Sequence, residues 1–252
     1  MTIEGASVTI SADAKDENLL DELPSQAGNW VQNYGGSFVV DQIAHQLLPT
    51  IPYAVMVRSS EANISLTSVN IDSVGDVSIT SDTATDSTTE AVAVRDTEPS
   101  NFSSTKGVVK KANNLSAGYS GATSTATTLL GGSMVISAGG DVLIESNAET
   151  IASITASTEI NAADGGEGHK NNSANTNALG ATIAISSAET TSTTLVDSGV
   201  EIIAATGNVN VRAKGDVESN ATSGIEVFVD GRGGLGVALG FDEADILSLI
   251  HI

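Results

Sequence analysis

Gly75-Asp-Val-Ser-Ile79, Gly140-Asp-Val-Leu-Ile144 and Gly207-Asn-Val-Asn-Val211 are copies of one pattern, and Ala6-Ser-Val-Thr-Ile10 is a weaker fourth. Their starts at 6, 75, 140 and 207 lie 69, 65 and 67 residues apart. Near-constant spacing over four copies marks a repeat architecture. A second apolar run stands just upstream of three copies: Val69-Asn-Ile71, Met134-Val-Ile136 and Val200-Glu-Ile202. A third element also recurs, Leu179-Gly-Ala-Thr-Ile-Ala-Ile185 against Leu235-Gly-Val-Ala-Leu-Gly-Phe241.

Inside each element the period is two. Val8, Ile10 and Ala12 alternate with Thr9 and Ser11. Val209, Val211 and Ala213 alternate with Asn210 and Arg212, and Ile225, Val227 and Val229 with Glu226 and Phe228. Val142 and Ile144 alternate less cleanly with Leu143 and Glu145. Such alternation buries one set of side chains and leaves the other in solvent. The residues are β-branched, and Gly-Asp, Gly-Asn or Asp-Ser-Gly turns separate them. The chain therefore reads as all-β.

An inward set of Val, Ile, Ala and Thr suits the narrow interior of stacked coils, whereas a sandwich usually buries larger aromatics. The expected fold is a parallel β-helix, or β-solenoid, with tandem β-sandwich repeats as the alternative. A coil of roughly 20–25 residues would place about three coils in each repeat. Residues 1–12 read as the end of a preceding repeat, and 57–246 as repeats with loop excursions at 96–118 and 163–177.

Residues 13–56 break the pattern. Leu19, Leu20 and Leu23 are spaced for a helix face, as are Val40, Ile43 and Leu47, and Pro24, Pro49 and Pro52 punctuate the stretch. It reads as a partly helical, aromatic-rich insertion on the flank of the solenoid. Trp30, Tyr34, Phe38 and Tyr53 are its candidate ligand-contact side chains.

Both ends look abrupt. Met1 to Ile10 has neither a basic nor an apolar leader region and reads as mid-strand, so the chain is expected to be an internal piece of a longer protein. Leu247-Ser-Leu-Ile-His-Ile252 is the translation of CTGTCTCTTATACACATC, a common sequencing adapter, and is set aside from the fold.

Composition narrows the function. Lys and Arg number 10 against 31 Asp and Glu, a net charge of −21. Such a chain repels phosphates and is no nucleic-acid binder. There is no Cys, which excludes a disulfide scaffold or a thiolate metal site. No run of 18 apolar residues exists to span a membrane as a helix. Roughly a quarter of the residues are Ser or Thr, well above ordinary usage. The runs at 83–89, 123–128 and 190–194 read as exposed β-surface Thr. A flat ice-binding row needs Thr-x-Thr on every coil, and here the register wanders.

The run Leu179-Gly-Ala-Thr-Ile-Ala-Ile185, then Thr190-Thr-Ser-Thr-Thr-Leu-Val-Asp-Ser-Gly-Val-Glu-Ile-Ile-Ala-Ala-Thr-Gly-Asn-Val-Asn-Val211, resembles the repeats of giant bacterial secreted adhesins. Those are filamentous-haemagglutinin-like and leukotoxin-like surface proteins, and the likeness covers 61–246 in patches. It implies an extracellular β-helical stalk or adhesive surface on the bacterial cell, with no catalysis. Its partners would be a host or neighbouring-cell surface, glycans or matrix, with more repeats of the parent chain at both ends. Residues 13–56 depart from that pattern.

Other motifs are weighed against plain structure. Gly231-Arg-Gly-Gly-Leu-Gly236 has the letters of a dinucleotide loop, but a period-two strand follows it instead of a helix. The acidic turns Asp76, Asp141, Asp197, Asp216 and Asp230 include the calcium candidates Asp76, Asp141, Asp197 and Asp230. Tandem Gly-Gly-x-Gly-x-Asp nonapeptides are missing, and a turn Asp usually bonds its own backbone. No cofactor other than calcium is suggested. Arg212, Lys214 and Asp216 share a face and are the weak case for a polysaccharide lyase or epimerase. His45 and His169 have no partner at metal spacing.

Overall fold

The computed structural model describes residues 1–16, 53–97, 111–162, 177–228 and 235–250. Twelve strands follow one another: β1 (Thr2–Gly5), β2 (Val8–Lys15), β3 (Tyr53–Thr67), β4 (Asn70–Ser73), β5 (Val77–Thr97), β6 (Lys111–Gly131), β7 (Met134–Ala138), β8 (Val142–Ala162), β9 (Asn177–Val196), β10 (Val200–Ala204), β11 (Val209–Phe228) and β12 (Leu235–Ile250). They form three sheets of four strands, β1-β4-β7-β10, β2-β5-β8-β11 and β3-β6-β9-β12. Every pairing is parallel. The chain is a parallel β-solenoid. All-parallel pairing excludes the sandwich alternative, whose sheets are antiparallel.

Each coil contains one short strand and two long ones, so one repeat makes one coil. Val77 pairs with Val142, and Val142 with Val209. The expectation of three coils per repeat is corrected by this register. The long strands of 20 or 21 residues replace what a shorter coil would divide into several.

The Gly-Asp-Val motif is the corner between the short sheet and the first long one. The motif glycines show why the corner needs glycine: a Cβ on Gly75 would lie 2.7 Å from the carbonyl oxygen of Ala6, and one on Gly207 2.5 Å from that of Gly140, each on the neighbouring coil. Backbone cannot yield as a flexible side chain can. The corner on the other side of the short strand contains Gly132, whose φ of 72° lies in the left-handed region that glycine tolerates.

Two interiors fill the coil. Where the three sheets meet, Val77, Ile79, Val142 and Ile144 pack with Ile71, Ile136, Met134, Leu130 and Val196. Away from that corner the two long sheets face each other across small side chains. Ala122, Ala152 and Ala188 form one patch, and Ala54, Ala91, Ile154, Ala156 and Ala184 another. Between them lie hydroxyls. Ser81 meets Thr128 at 2.9 Å, Ser87 meets Ser120 at 2.8 Å, and Ser124 donates to Thr85 at 2.8 Å. One coil on, Thr194 donates to Ser146 at 2.9 Å and Thr190 to Thr150 at 2.7 Å. A hydroxyl both donates and accepts, so facing rows satisfy one another and nearby carbonyls. Thr83 Oγ1 is the one buried side-chain polar atom without a partner among the described residues.

The Thr-rich runs are therefore corrected in part. Thr83, Thr85, Thr128, Thr190 and Thr194 point inward and are buried. Only the alternate members, such as Thr125, Thr127 and Thr193, line the outer face.

Several boundaries also differ. Strand occupies 13–15 and 53–56 of the stretch read as an insertion, and 17–52 lies outside the described residues. No helix occurs among the described residues, so the helical part of that reading is not seen. Strands β5, β6 and β9 take in 96–97, 111–118 and 177 from the spans read as loops. A stacked neighbour holds these ends in register (Lys111 against Asn177, Thr97 against Ala162). Leu247–Ile250 continues β12, in register with Thr193–Val196.

Candidate functional site

The outer face of the β2-β5-β8-β11 sheet carries most of the ordered charge. Register builds it in columns. Ser11, Thr80, Glu145 and Arg212 form one column, Asp13, Asp82, Asn147 and Lys214 the next, and Lys15, Ala84, Glu149 and Asp216 a third.

Glu145 is the centre of this face. Its carboxylate is paired with the guanidinium of Arg212 and with Lys214 Nζ at 3.1 Å. Its partners cover it so that it is only 8% exposed, although it points away from the interior. Both oxygens are engaged, Oε2 by Arg212 Nε and Oε1 by Lys214 Nζ at 3.1 Å. A carboxylate held in this way fixes two cations on the outer face of the sheet.

Of the residues singled out in the sequence, Arg212 and Lys214 thus come together, around a carboxylate that had not been recognised. Asp216 belongs to the column of Glu149 and lies within β11, so it is a strand residue and not a turn. Glycine at 215 places the chain's thinnest point against Ile246 and Thr190, which lets the strand run on through Gly215-Asp216.

A groove of about 540 Å³ opens beside this face, lined by Lys15, Asp16, Asp86, Glu149 and Ile151. It lies beside the end of β2 at Lys15, where β5 runs on to Thr97. Arg58 reaches this edge from the inner side of β3. It donates to the Asp86 carbonyl at 2.7 Å and lies 3.5 Å from the Asp16 carboxylate. Its side chain is buried, and the sequence reading missed it. The signal was there: Arg58 falls on the inward phase of Ala54, Met56, Ser60, Ala62 and Ile64.

The candidate calcium ligands do a different task. Asp76 Oδ1 accepts the Asp141 N–H at 2.8 Å, and Asp141 Oδ1 accepts the Asn208 N–H at 2.7 Å. Asp197 Oδ1 accepts the N–H of Ser198 at 2.8 Å. Each carboxylate is a turn acceptor, and no three Asp, Glu or His side chains gather as metal ligands among the described residues. Asp230 lies outside the described residues, as do Trp30, Tyr34 and Phe38. Tyr53 is the first residue of β3, opposite Ala117. The Gly231 loop falls mostly outside too, and the strand expected after it is β12.

The outer face of the β3-β6-β9-β12 sheet is apolar at one end. Val55, Tyr119, Ile185 and Leu239 form a column across all four coils, beside Val57 and Phe241 in the next. Val57 is 68% exposed and Phe241 56%. No helix among the described residues is long and apolar enough to cross a membrane.

No protein-family model matches this chain, no curated protein matches it in sequence, and no solved structure matches it.

Proposed function

We propose that the chain is a non-enzymatic structural and adhesive repeat segment of a large bacterial cell-surface or secreted protein, of the filamentous-haemagglutinin-like kind. The observation that carries this reading is the repetition itself. The same corner, aspartate acceptor and hydroxyl interior recur coil after coil. Stability in such a stack is a sum of nearest-neighbour terms, which suits a long rod. A net charge of −21 keeps such a rod soluble, and a chain without cysteine cannot be trapped by disulfides during export.

The surface offered to a partner is the outer face around Val57, Tyr119 and Phe241, where apolar and aromatic groups stand beside Thr and Glu. Glycans, matrix proteins or a neighbouring cell surface are the partners of that chemistry. The test places the purified chain on immobilised glycans, matrix proteins and whole cells, and separately with acidic polysaccharides. Retention without turnover is the expected result.

The competing reading is a carbohydrate-active lyase or epimerase, favoured by the one carboxylate with two cations, Glu145 with Arg212 and Lys214. Turnover abolished by Glu145→Gln would establish that reading in place of ours. The calcium-rigidified stalk is a variant of the adhesin and is separated from it by a chelator.

A further inference from the structure

Gly121 stands in the interior of β6, a strand paired with β3 on one side and β9 on the other. Its backbone is not in the left-handed region, so no turn asks for glycine there. Glycine inside a strand weakens it and marks the close approach of another group. Here that group is the ring of Tyr119. A Cβ at 121 would lie 3.0 Å from Cε1 and Oη of that ring and 3.3 Å from Cζ. Gly121 is on the outer phase, as Tyr119 and Thr123 are, yet it is buried. The ring therefore leans along the strand and covers Gly121, while Tyr119 itself stays half-buried.

Polar groups border this ring on one side. Val57 and Ser187 are the partners of Gly121 on the adjacent strands, and Thr123 with its partner Glu189 belongs to the next column. Neighbouring strands lie about 4.8 Å apart and successive outward residues about 7 Å apart, so these groups share the footprint of one small ligand. Tyrosine supplies a rigid apolar surface with a polar tip. The hydroxyls beside it donate and accept, and the carboxylate accepts. A hexopyranose has the matching surface, C–H groups on a ring face and hydroxyls around the rim. A β-linkage is equatorial and leaves that face clear. Charge narrows the choice further. The five columns from that of Tyr53 to that of Glu61 contain Glu61, Glu189, Glu243 and Asp245 and no Lys or Arg. Four carboxylates repel uronic, sialic and sulfated sugars.

We infer that Tyr119, seated on Gly121, is a stacking platform for a neutral β-linked hexopyranoside, with Ser187, Thr123 and Glu189 as its polar rim. The inference rests on the adhesive reading and narrows its partner to a neutral glycan. Glycine at 121 is then a positioning residue, since it gives the ring its seat.

The test is saturation-transfer NMR on the full chain, with lactose and cellobiose as neutral probes and sialyllactose as the acidic one. Transfer to the ring C–H protons of both neutral sugars is expected, with binding on the order of 1 mM and weaker binding of sialyllactose. Tyr119→Ala should weaken binding at least about tenfold, and Tyr119→Phe should keep it. Gly121→Val fills the seat of the ring with a good strand former and should abolish binding while circular dichroism keeps the β signature. A parent chain that binds neither neutral sugar overturns the inference. So does binding that survives Tyr119→Ala and Gly121→Val, or a preference for sialyllactose. Retention on cells or matrix proteins in the absence of sugar binding overturns the platform alone and leaves the adhesive reading standing. Sugar binding without any such retention supports the platform and counts against that reading.

Discussion

Asp76 and Asp141 hold the same corner one coil apart, and Asp76 Oδ1 accepts the backbone N–H of Asp141 at 2.8 Å. Asp141 repeats the contact to Asn208, so the side chain of each corner sets the backbone of the next. The corner motif is conspicuous in the sequence because it stitches coils together.

Replacing Asp141 with Ala removes the acceptor of the Asn208 N–H and is expected to cost about 1 kcal/mol in denaturant unfolding. Asp141→Asn should be close to silent, because an amide oxygen accepts the same bond and Asn already stands at 208. The same engagement predicts that a chelator leaves the melting temperature unchanged. A melting temperature that falls with chelator and recovers with calcium would contradict this account of the corners.

Ser146 tests the hydroxyl interior. It is fully buried, donates to the Thr193 carbonyl at 2.7 Å and accepts from Thr194 at 2.9 Å and Ser81 at 3.2 Å. Ser146→Ala strands those hydroxyls and should cost about 2 kcal/mol. Ser65→Ala on the outer face should change stability by less than about 0.5 kcal/mol. Equal effects at the two sites would mean that the interior hydroxyls are not paired as described.

Gly118 tests the packing between the long sheets. A Cβ there would lie 2.5 Å from Ile154 Cδ1. Gly118→Ala is expected to destabilise by about 1–3 kcal/mol through overpacking. Ile154→Val alone should cost about 1 kcal/mol, and the double variant less than the sum, because the valine removes the clashing methyl. Strict additivity would mean that these side chains do not face each other.

Glu145→Ala leaves Arg212 and Lys214 on adjacent columns without their shared carboxylate. Both cations are half-exposed, so the expected loss is only about 1 kcal/mol, shrinking as salt rises. A larger, salt-independent loss in thermal melts would assign Glu145 a packing role.

The alternation made the all-β class legible, and the near-constant repeat with small inward residues favoured a solenoid over stacked sandwiches, which only the parallel pairing excludes. The coil length was not legible. Runs such as Thr83–Thr89 read as surface, since Ser and Thr count as polar. In the structure their alternate members are core, made acceptable by the facing hydroxyls. The Glu145–Arg212 pair was recoverable in principle. Each follows its repeat pentapeptide directly, Glu145 after Ile144 and Arg212 after Val211, so one-coil register alone superposes them. The inward phase of Arg58 was legible from Ala54, Met56, Ser60 and Ala62, but its partners, Asp16 and the Asp86 carbonyl, are set by how the strands stack, which alternation within one strand does not give.

The central claim is that one repeat is one coil, and disulfide trapping tests it most directly because the chain has no cysteine of its own. Thr127 and Thr193 are partners on adjacent strands of the outer face, where Cα atoms lie about 4.8 Å apart, within disulfide reach. T127C/T193C should oxidise to an intramolecular disulfide without loss of structure. T127C/E149C, spaced as a 22-residue coil requires but lying on opposite sheets, should stay reduced. Cross-linking of the second pair and not the first would contradict the one-coil repeat.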